Sequence, residues 1–426
     1  MTDTIFALSS GAPPAAIAIV RVSGPDAELA IHRLAGIVPE PRRPVLRTLR
    51  DPVDGAMLDR ALVTWFPGPA TATGEDLAEL HLHGGRAVVR AALGALGRLD
   101  GYRSAEPGEF TRRAFENGRI DLAQAEGLAD LLAAETEAQR RAALLLAGGR
   151  LSRMVEAWQE ELLALAAAVE ALLDHGDEED VGPSLPADWQ QRLASLHEHM
   201  ERHLAMPRTE RLRDGLRVVV AGPPNAGKSS LINALVGRDV AIVSHVPGTT
   251  RDVIEAPRDV GGIPVIFSDT AGLRATSDPV ERIGIDRAQH LLETADLILW
   301  LSDAPPPRAE RLLLVRTKCD LRPDHVDPGC WNVSALTGEG CTELLREIHE
   351  RLVEMAPPAD EASVNARQAI LLRNAADAVR RTQHLDDLLI VAEELRVARG
   401  ELDRITGRAG VEDMLDAMFN RFCIGK

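Results

Sequence analysis

Three patterns of apolar and polar residues follow one another along the chain. Residues 1–117 combine short β-type runs, at 16–24 and 60–68, with a helical stretch at 85–96, which predicts a small α+β domain. From residue 118 the chain becomes rich in Ala, Leu and Glu, and its apolar residues recur at spacings of three and four. That periodicity predicts long amphipathic helices, each with one buried face.

The pattern changes again near residue 213. A strand, a glycine-rich loop and a helix come first, and further β-type runs follow at 264–269, 296–303, 311–320 and 331–335. Strands that alternate with helices predict a mostly parallel sheet that is covered on both faces.

The helical pattern resumes after this α/β unit and continues to the end of the chain. Two helical segments on either side of an α/β unit are most simply one discontinuous all-α domain that carries an insertion. The sequence therefore predicts a multidomain protein. Its parts are an α+β domain at 1–117, the two helical halves at 118–212 and 357–426, and the inserted α/β domain at 213–356.

Composition and charge limit the partners that we expect. Lys and Arg number 48 against 65 Asp and Glu, which gives a net charge of −17, so a broad electrostatic contact with nucleic acid is disfavoured and any RNA contact should be local or shared. No run of about 18 uncharged apolar residues occurs, and the first residues lack a signal-peptide pattern, so we expect a cytoplasmic protein with no membrane partner. The four cysteines are spaced too irregularly for a disulfide framework or a CxxC zinc site.

The candidate chemistry lies in the α/β unit. GPPNAGKSS at 222–230 fits the phosphate-loop pattern G-x-x-x-x-G-K-[ST] between an apolar strand and a helix. In such a loop, backbone N–H groups surround the phosphates, Lys228 reaches the β and γ oxygens, and the Ser229 hydroxyl ligates Mg²⁺. The loop residues that we expect to contact the nucleotide are Asn225, Ala226, Gly227, Lys228, Ser229 and Ser230.

Further short motifs follow in the order that a GTPase requires. GTTRD at 248–252 places Thr250 where it can complete the Mg²⁺ shell. DTAG at 269–272 places Asp269 near the metal and the Gly272 N–H near the γ-phosphate. The nucleotide contacts predicted from these two motifs are Gly248, Thr249, Thr250, Asp269, Thr270, Ala271 and Gly272.

TKCD at 317–320 is typical of a guanine-reading motif. The Asp320 carboxylate can accept two hydrogen bonds from guanine, and adenine lacks that pair of donors. Thr317 stands where such motifs more often have Asn; its hydroxyl can still bond nearby backbone, so we expect a modest loss of nucleotide affinity and intact guanine selection. The base contacts predicted here and in the following VSALTGEG segment are Thr317, Lys318, Asp320, Ser334, Ala335 and Leu336. Together the motifs predict a Ras-like P-loop G domain that uses GTP and Mg²⁺.

Leu273 raises a catalytic question. Many small GTPases place a water-orienting glutamine directly after DTAG, whereas leucine can neither donate nor accept a hydrogen bond. Another group must therefore position the attacking water.

Segments outside the α/β unit resemble the MnmE (TrmE) family of tRNA modification GTPases, and the resemblance covers essentially the whole chain. The segments are DTI at 3–5, RVSGP at 21–25, FPGPATATGEDLAELHLHGG at 66–85, PGEFTRRAFENGRIDLAQAEGLADLL at 107–132 and FCIGK at 422–426. The resemblance implies a potassium-dependent GTPase that dimerises through its N-terminal domain and closes its G domains during turnover. With a flavoprotein partner, MnmG, the dimer would form a heterotetramer that adds a (carboxymethyl)aminomethyl group to C5 of the wobble uridine in certain tRNAs.

The resemblance also implies which residues bind K⁺ and which residue orients the attacking water. The side chains of Asn225 and Thr249, with backbone oxygens of Ser244 and Val246, would hold K⁺ against the phosphates and supply the charge that an arginine finger provides elsewhere. Glu281 would orient the water; without the resemblance it reads as a solvated glutamate at a helix start. The loop expected to contact GTP comprises Ser244, His245, Val246, Pro247, Gly248 and Thr249.

For the N-terminal domain the resemblance implies a folate-binding-like fold and a tetrahydrofolate derivative as ligand. Arg21, Glu79 and Arg119 fall at the matching positions, and Lys426 belongs to the end of the chain that faces the folate. A carboxylate can accept the paired N–H groups of a pterin, and cations can meet carbonyl or glutamate oxygens. Without the family, the three residues read as ordinary surface or loop charges.

Cys423 is assigned to the modification site through the FCIGK segment, although a lone cysteine near a chain end is usually inert. A function of another class stays open: a regulatory GTPase switch in ribosome or metal-centre assembly, with the N-terminal domain as a docking module. Saturable binding of tetrahydrofolate would distinguish the enzyme from the switch.

Overall fold

The computed structural model describes residues 3–175, 184–237, 255–269, 290–301, 311–321 and 329–409, together with Leu415, Met418, Phe419, Phe422, Ile424 and Gly425. The chain divides into two compact units, one made of Met1–Ala129 with Gly400–Lys426 and the other of Asp130–Arg399. Within the described ranges, no helix is long and apolar enough to cross a membrane.

A six-stranded sheet forms the centre of the first unit. Its strands are β1 (Thr4–Leu8), β2 (Ile17–Ser23), β3 (Val45–Arg50), β4 (Met57–Phe66), β5 (Leu77–His83) and β6 (Tyr102–Ser104). Their order across the sheet is β3-β4-β5-β2-β1-β6, and every neighbouring pair is antiparallel except β1 with β6. The runs predicted at 16–24 and 60–68 form β2 and β4, so the predicted α+β class is confirmed.

Two helices cover one face of this sheet. They are α1 (Ala27–Ala35) and α2 (Arg86–Leu96), and both contact the strands. Buried strand residues such as Val20 and Leu80 belong to the same apolar core as the inner faces of these helices. The helix predicted at 85–96 is therefore confirmed as α2.

The opposite face carries the polar residues of β2 and β5. Because side chains alternate along a strand, Arg21, Glu79 and His81 share this face, and Arg21 pairs directly with Glu79 in the sheet register. Helix α3 (Glu109–Glu116) lies at one side of the face, where the Arg21 guanidinium stands 5.9 Å from the centre of the Phe110 ring.

The remaining part of that face leaves apolar side chains exposed to solvent. Ile17 is 58% exposed, and the cross-strand partners Leu46 and Leu62 are 47% and 42% exposed. Large apolar side chains grouped on one sheet face are typical of a surface that another molecule covers.

The last described residues of the chain pack within the first unit. Phe419 and Phe422 are buried in a cluster with the start of α4 (Leu122–Ala133). Ile424 forms an antiparallel bridge with Pro107. Gly425 has a φ of 95°, and a Cβ there would lie 2.1 Å from the carbonyl oxygen of Leu8. Only glycine therefore fits at this position.

The second unit contains another six-stranded sheet. Its strands are β7 (Leu216–Ala221), β8 (Glu255–Val260), β9 (Ile263–Asp269), β10 (Leu297–Trp300), β11 (Leu312–Thr317) and β12 (Trp331–Val333). The order is β12-β11-β10-β7-β9-β8, and all neighbouring pairs are parallel except β8 with β9. The predicted mostly parallel sheet is confirmed, with an antiparallel edge strand that the sequence did not indicate.

The helices after α4 are α5 (Glu137–Ala147), α6 (Arg150–His175), α7 (Trp189–Ala205), α8 (Glu210–Arg213), α9 (Lys228–Val236), α10 (Cys341–Val353), α11 (Ala366–Thr382) and α12 (Leu388–Thr406), whose last residues belong to the first unit. Of these, α5, α8, α9 and α10 contact the strands of the second sheet. The predicted apolar spacing is visible in α6, which buries Leu151, Val155 and Leu162. Helices α7 and α11, which lie on either side of the α/β segment in sequence, pack against each other.

One helix is bonded directly to the turn between β8 and β9. The backbone N–H of Ala138, in the first turn of α5, donates to the carbonyl oxygen of Gly262 at 3.0 Å. The Gln139 side chain donates to the carbonyl oxygen of Leu212 at 2.9 Å. The N-terminus of α5 is thereby fixed to the end of β9 that is remote from Asp269.

Candidate functional site

The loop between β7 and α9 has the backbone shape that a phosphate loop needs. Asn225 and Gly227 adopt φ values of 62° and 89°. A Cβ on Gly222 would lie 2.8 Å from the carbonyl oxygen of Leu301, so the loop passes too close to β10 for any other residue. The chain then enters α9, whose first N–H groups have no partner inside the helix and can bind an anion.

Lys228 folds back over this loop. Its side chain is buried, with 6% of the residue exposed, and its ammonium donates to the carbonyl oxygens of Gly222 and Pro223 at 2.9 Å each. An ammonium has three donors and no acceptor, and phosphate oxygens are stronger acceptors for it than neutral carbonyls. The Lys228 ammonium therefore has two carbonyl acceptors that phosphate oxygens can replace.

Ser229 and Asp269 meet beside the lysine. The Ser229 hydroxyl donates to Asp269 Oδ2 at 2.5 Å, and Asp269, the last residue of β9, is 1% exposed. This pair of oxygens fits Mg²⁺, which binds to one or two protein oxygens and completes its shell with phosphates and water. In the part of the chain that the structure describes, no group of three or more His, Cys, Asp or Glu could hold a metal alone.

The guanine motif is bonded to the phosphate loop. Thr317 Oγ1 donates to the carbonyl oxygen of Ala226 at 2.5 Å, and Lys318 Nζ donates to that of Asn225 at 3.0 Å. The threonine hydroxyl therefore does bond nearby backbone, as the sequence predicted. Asp320, which is half-buried, follows in a 3₁₀ turn, Cys319–Leu321.

The segment after β12 forms a compact turn. Ser334 is fully buried; its N–H donates to the Glu339 carbonyl oxygen at 2.9 Å, and its hydroxyl accepts from the Thr337 N–H at 3.2 Å. Ala335 is half-buried and Leu336 is 86% exposed. The turn holds its shape through its own hydrogen bonds and leaves Leu336 available for contact.

Some of the predicted site residues lie outside the described residues. They are Ser244, His245, Val246, Pro247, Gly248, Thr249, Thr250, Thr270, Ala271, Gly272, Glu281, Cys423 and Lys426. The K⁺ site, the water-orienting glutamate and the role of the terminal cysteine therefore stay predictions. Within the described set, Lys228, Ser229 and Asp269 come together, and Ser230 is exposed in the first turn of α9.

Two of the predicted folate residues form an ion pair. Arg21 donates to Glu79 Oε1 from Nη2 at 2.9 Å and from Nε at 3.2 Å. Arg119 is held at a different place, where its Nε donates to the carbonyl oxygen of Thr71 at 3.1 Å. The sequence prediction missed His81, whose Nε2 lies 3.2 Å from Glu79 Oε2; its spacing of two residues from Glu79 on a strand was the available signal.

A buried charge network stands next to these residues. Arg113, 1% exposed, forms ion pairs with Asp3 at 2.9 Å, Glu75 at 3.0 Å and Glu109 at 3.2 Å. Burial opposes the charge on Glu109, but hydrogen bonds from Arg103, the Glu106 N–H and Arg113 outweigh it and hold the pKa of that carboxyl below its ordinary value. The network ties α3 to the loop before β5.

Comparison with known proteins adds to this geometry. Residues 4–119 match the family model for the GTP-binding protein TrmE N-terminus, and residues 122–423 match that for the MnmE helical domain. The tRNA modification GTPase MnmE of Rhizorhabdus wittichii is 55% identical over 100% of this chain and 97% of its own length. The protein of the same description from Erythrobacter litoralis is 53% identical over the full length of both chains, at 100% each.

A third relative, the tRNA modification GTPase MnmE of Zymomonas mobilis, is 50% identical over 99% of this chain and 100% of its own. The similarity thus extends through the sheet of the first unit, the phosphate loop and the flanking helices. The chain belongs to the MnmE family of tRNA modification GTPases.

Proposed function

We propose that this chain hydrolyses GTP in the cytoplasm and that hydrolysis serves the modification of tRNA. The observation that carries the proposal is the convergence of Lys228, Ser229 and Asp269 at the carboxyl ends of β7 and β9, with the guanine motif bonded to the same loop. Relatives with this architecture are described as tRNA modification GTPases.

The side chains of this chain can do the following work on GTP. The first N–H groups of α9 bind phosphate oxygens, and Lys228 leaves the carbonyls of Gly222 and Pro223 to meet the β and γ oxygens. Ser229 and Asp269 would hold Mg²⁺, which neutralises charge between the β- and γ-phosphates. Asp320 accepts the N–H pair of guanine, while Thr317 keeps the base motif in register with the phosphate loop.

Potassium would supply the remaining positive charge. Asn225 stands in the left-handed region with an exposed side chain, so it can turn toward an ion on the outer side of the loop. We propose that it holds K⁺ with Ser244, Val246 and Thr249, and that Glu281 orients the attacking water.

The first unit would provide the dimer contact and the one-carbon ligand. The exposed apolar side chains of Ile17, Leu46 and Leu62 on an open sheet face support a homodimer through this unit. The Arg21–Glu79 pair on the same face supports a tetrahydrofolate site, to which Arg119 and Lys426 would contribute. Cys423 would belong to the modification site.

The complete reaction would need a partner. We propose that a homodimer joins the flavoprotein MnmG in a heterotetramer, in which the partner's flavin carries out the redox step. The product is a (carboxymethyl)aminomethyl group on C5 of the wobble uridine in certain tRNAs.

Mass spectrometry of wobble uridines tests this function. A strain that lacks the gene should lose the C5 modification, and the wild-type gene should restore it. A Lys228→Ala variant should fail to restore it, whereas Arg346→Ala, which removes an exposed cation of α10 outside the site, is the matched control. Unchanged wobble uridines in the deletion strain would refute the tRNA assignment.

A further inference from the structure

Glu79 is bonded from two sides, and the arrangement of its donors is unusual. Arg21 Nε and Nη2 both donate to Oε1, while His81 Nε2 lies 3.2 Å from Oε2, within hydrogen-bond distance. A guanidinium opposite a carboxylate commonly places one N–H on each oxygen. Here Oε2 is held by the histidine, so the arginine converges on a single oxygen.

We propose that His81 is a positioning residue that keeps Glu79 open to a planar ligand with two adjacent N–H groups, such as the pterin of a tetrahydrofolate. This inference rests on the proposed folate binding. The Glu79 oxygens accept hydrogen bonds from Arg21, and His81 Nε2 is placed as a further donor to the same carboxylate. The histidine thereby fixes the rotation of the carboxylate.

The hydrogen-bonding capacity of Glu79 matches such a ligand. A carboxylate has about four lone-pair positions, and the described contacts use two on Oε1 and one on Oε2. A paired N–H ligand needs one position on each oxygen. The longer Arg21 contact, from Nε at 3.2 Å, gives way on Oε1, and the free position on Oε2 needs no rearrangement.

Without His81, we expect Arg21 to occupy both oxygens of Glu79. The Glu79 carboxylate would be free to rotate into a bidentate ion pair with Arg21, in which each oxygen accepts one N–H. The ligand would then have to break a stronger ion pair. The exposure of the three side chains supports access, because Arg21, Glu79 and His81 are 25%, 17% and 30% exposed.

Calorimetry of the full-length protein with 5-formyltetrahydrofolate tests the role of His81. His81→Leu should weaken binding about tenfold, the loss expected for one hydrogen bond to a charged group. His81→Gln keeps an N–H donor at a similar reach and should bind within about threefold of wild type. Thermal unfolding midpoints should stay unchanged, and His81→Met replaces His81→Leu if that variant does not fold.

The outcomes separate this inference from the function on which it rests. Wild-type affinity in His81→Leu overturns the role of His81 and leaves folate binding intact. An equal loss in His81→Leu and His81→Gln also overturns it, because the donor would not be what matters. A wild-type protein that binds no 5-formyltetrahydrofolate refutes the folate proposal itself, and the inference with it.

Discussion

Thr317 Oγ1 lies 2.5 Å from the carbonyl oxygen of Ala226, so the guanine motif and the phosphate loop are joined by a side-chain hydrogen bond. We expect Thr317→Val, which keeps the shape and removes the hydroxyl, to weaken GDP binding about fivefold, since a neutral hydrogen bond contributes about 1 kcal/mol. Titration with a fluorescent GDP analogue measures the change. Thr317→Ser keeps the donor and is the control; wild-type affinity in Thr317→Val would show that the bond does not matter for binding.

The potassium proposal predicts a salt effect that depends on the cation. GTP turnover should be at least about tenfold faster in K⁺ than in Na⁺ at equal ionic strength, because a site that supplies transition-state charge has to match the size of the ion. Asn225→Ala should abolish this preference and leave GDP affinity nearly unchanged. Equal turnover of the wild-type protein in both salts would remove the role assigned to Asn225.

The water-orienting role of Glu281 predicts a separation of rate from affinity. Glu281→Ala should lower kcat by about 100-fold, the contribution typical of one positioned acid–base group, while the Kd for GTP changes little. Single-turnover hydrolysis and equilibrium binding measure the two quantities. Glu293, which lies twelve positions later in the sequence and is exposed, offers a matched Glu→Ala control. A loss of GTP affinity without a loss of kcat would contradict the role assigned to Glu281.

The Arg113 network predicts that the first unit loses stability in acid. The pKa of Glu109 is lowered from 4.5 and that of Asp3 from 3.8, so their contribution is present above those values and is lost as the pH falls through the lower pKa values of the folded state. Hydrogen exchange of peptides from α3, followed from pH 7 to pH 3 with correction for intrinsic rates, should show protection falling below about pH 4.

A variant checks the cause of this acid sensitivity. Glu109→Gln leaves Arg113 with one ion pair fewer and should destabilise the unit by about 3 kcal/mol at pH 7. Because glutamine does not titrate, protection in this variant should depend less on pH. An exchange profile as steep as that of the wild type would mean that other carboxyls govern the acid response. The exposed Glu116→Gln change is the control.

Local patterns predicted much of the fold and the centre of the nucleotide site. The runs that became β2, β4 and β9 have apolar residues at strand spacing, and the phosphate loop is fixed by glycines whose conformations few other residues adopt. The edge strand β8 was missed, because Glu255–Val260 contains Pro and three charged residues and is held by pairing with β9. Such pairing is decided by the neighbouring strand and not by local sequence.

The polar cluster of the first unit shows the same limit. Arg21 and Glu79 are 58 positions apart in sequence, and only the antiparallel register of β2 with β5 makes them neighbours. His81 could have been added from its spacing to Glu79, but its bond to a single oxygen depends on side-chain rotation. The position of Arg119 at Thr71 is a tertiary contact for which the sequence carries no signal.

The backbone hydrogen bond from Ala138 to Gly262 links helix α5 to the start of strand β9. Strand β9 is seven residues long, about 23 Å at 3.3 Å per residue, and an extended strand hardly stretches. Asp269, at one end of the strand, accepts a hydrogen bond from Ser229, and Gly262, just before the other end, accepts one from Ala138 in the first turn of α5. The Ser229–Asp269 pair and the start of α5 are therefore joined through one continuous strand of the sheet.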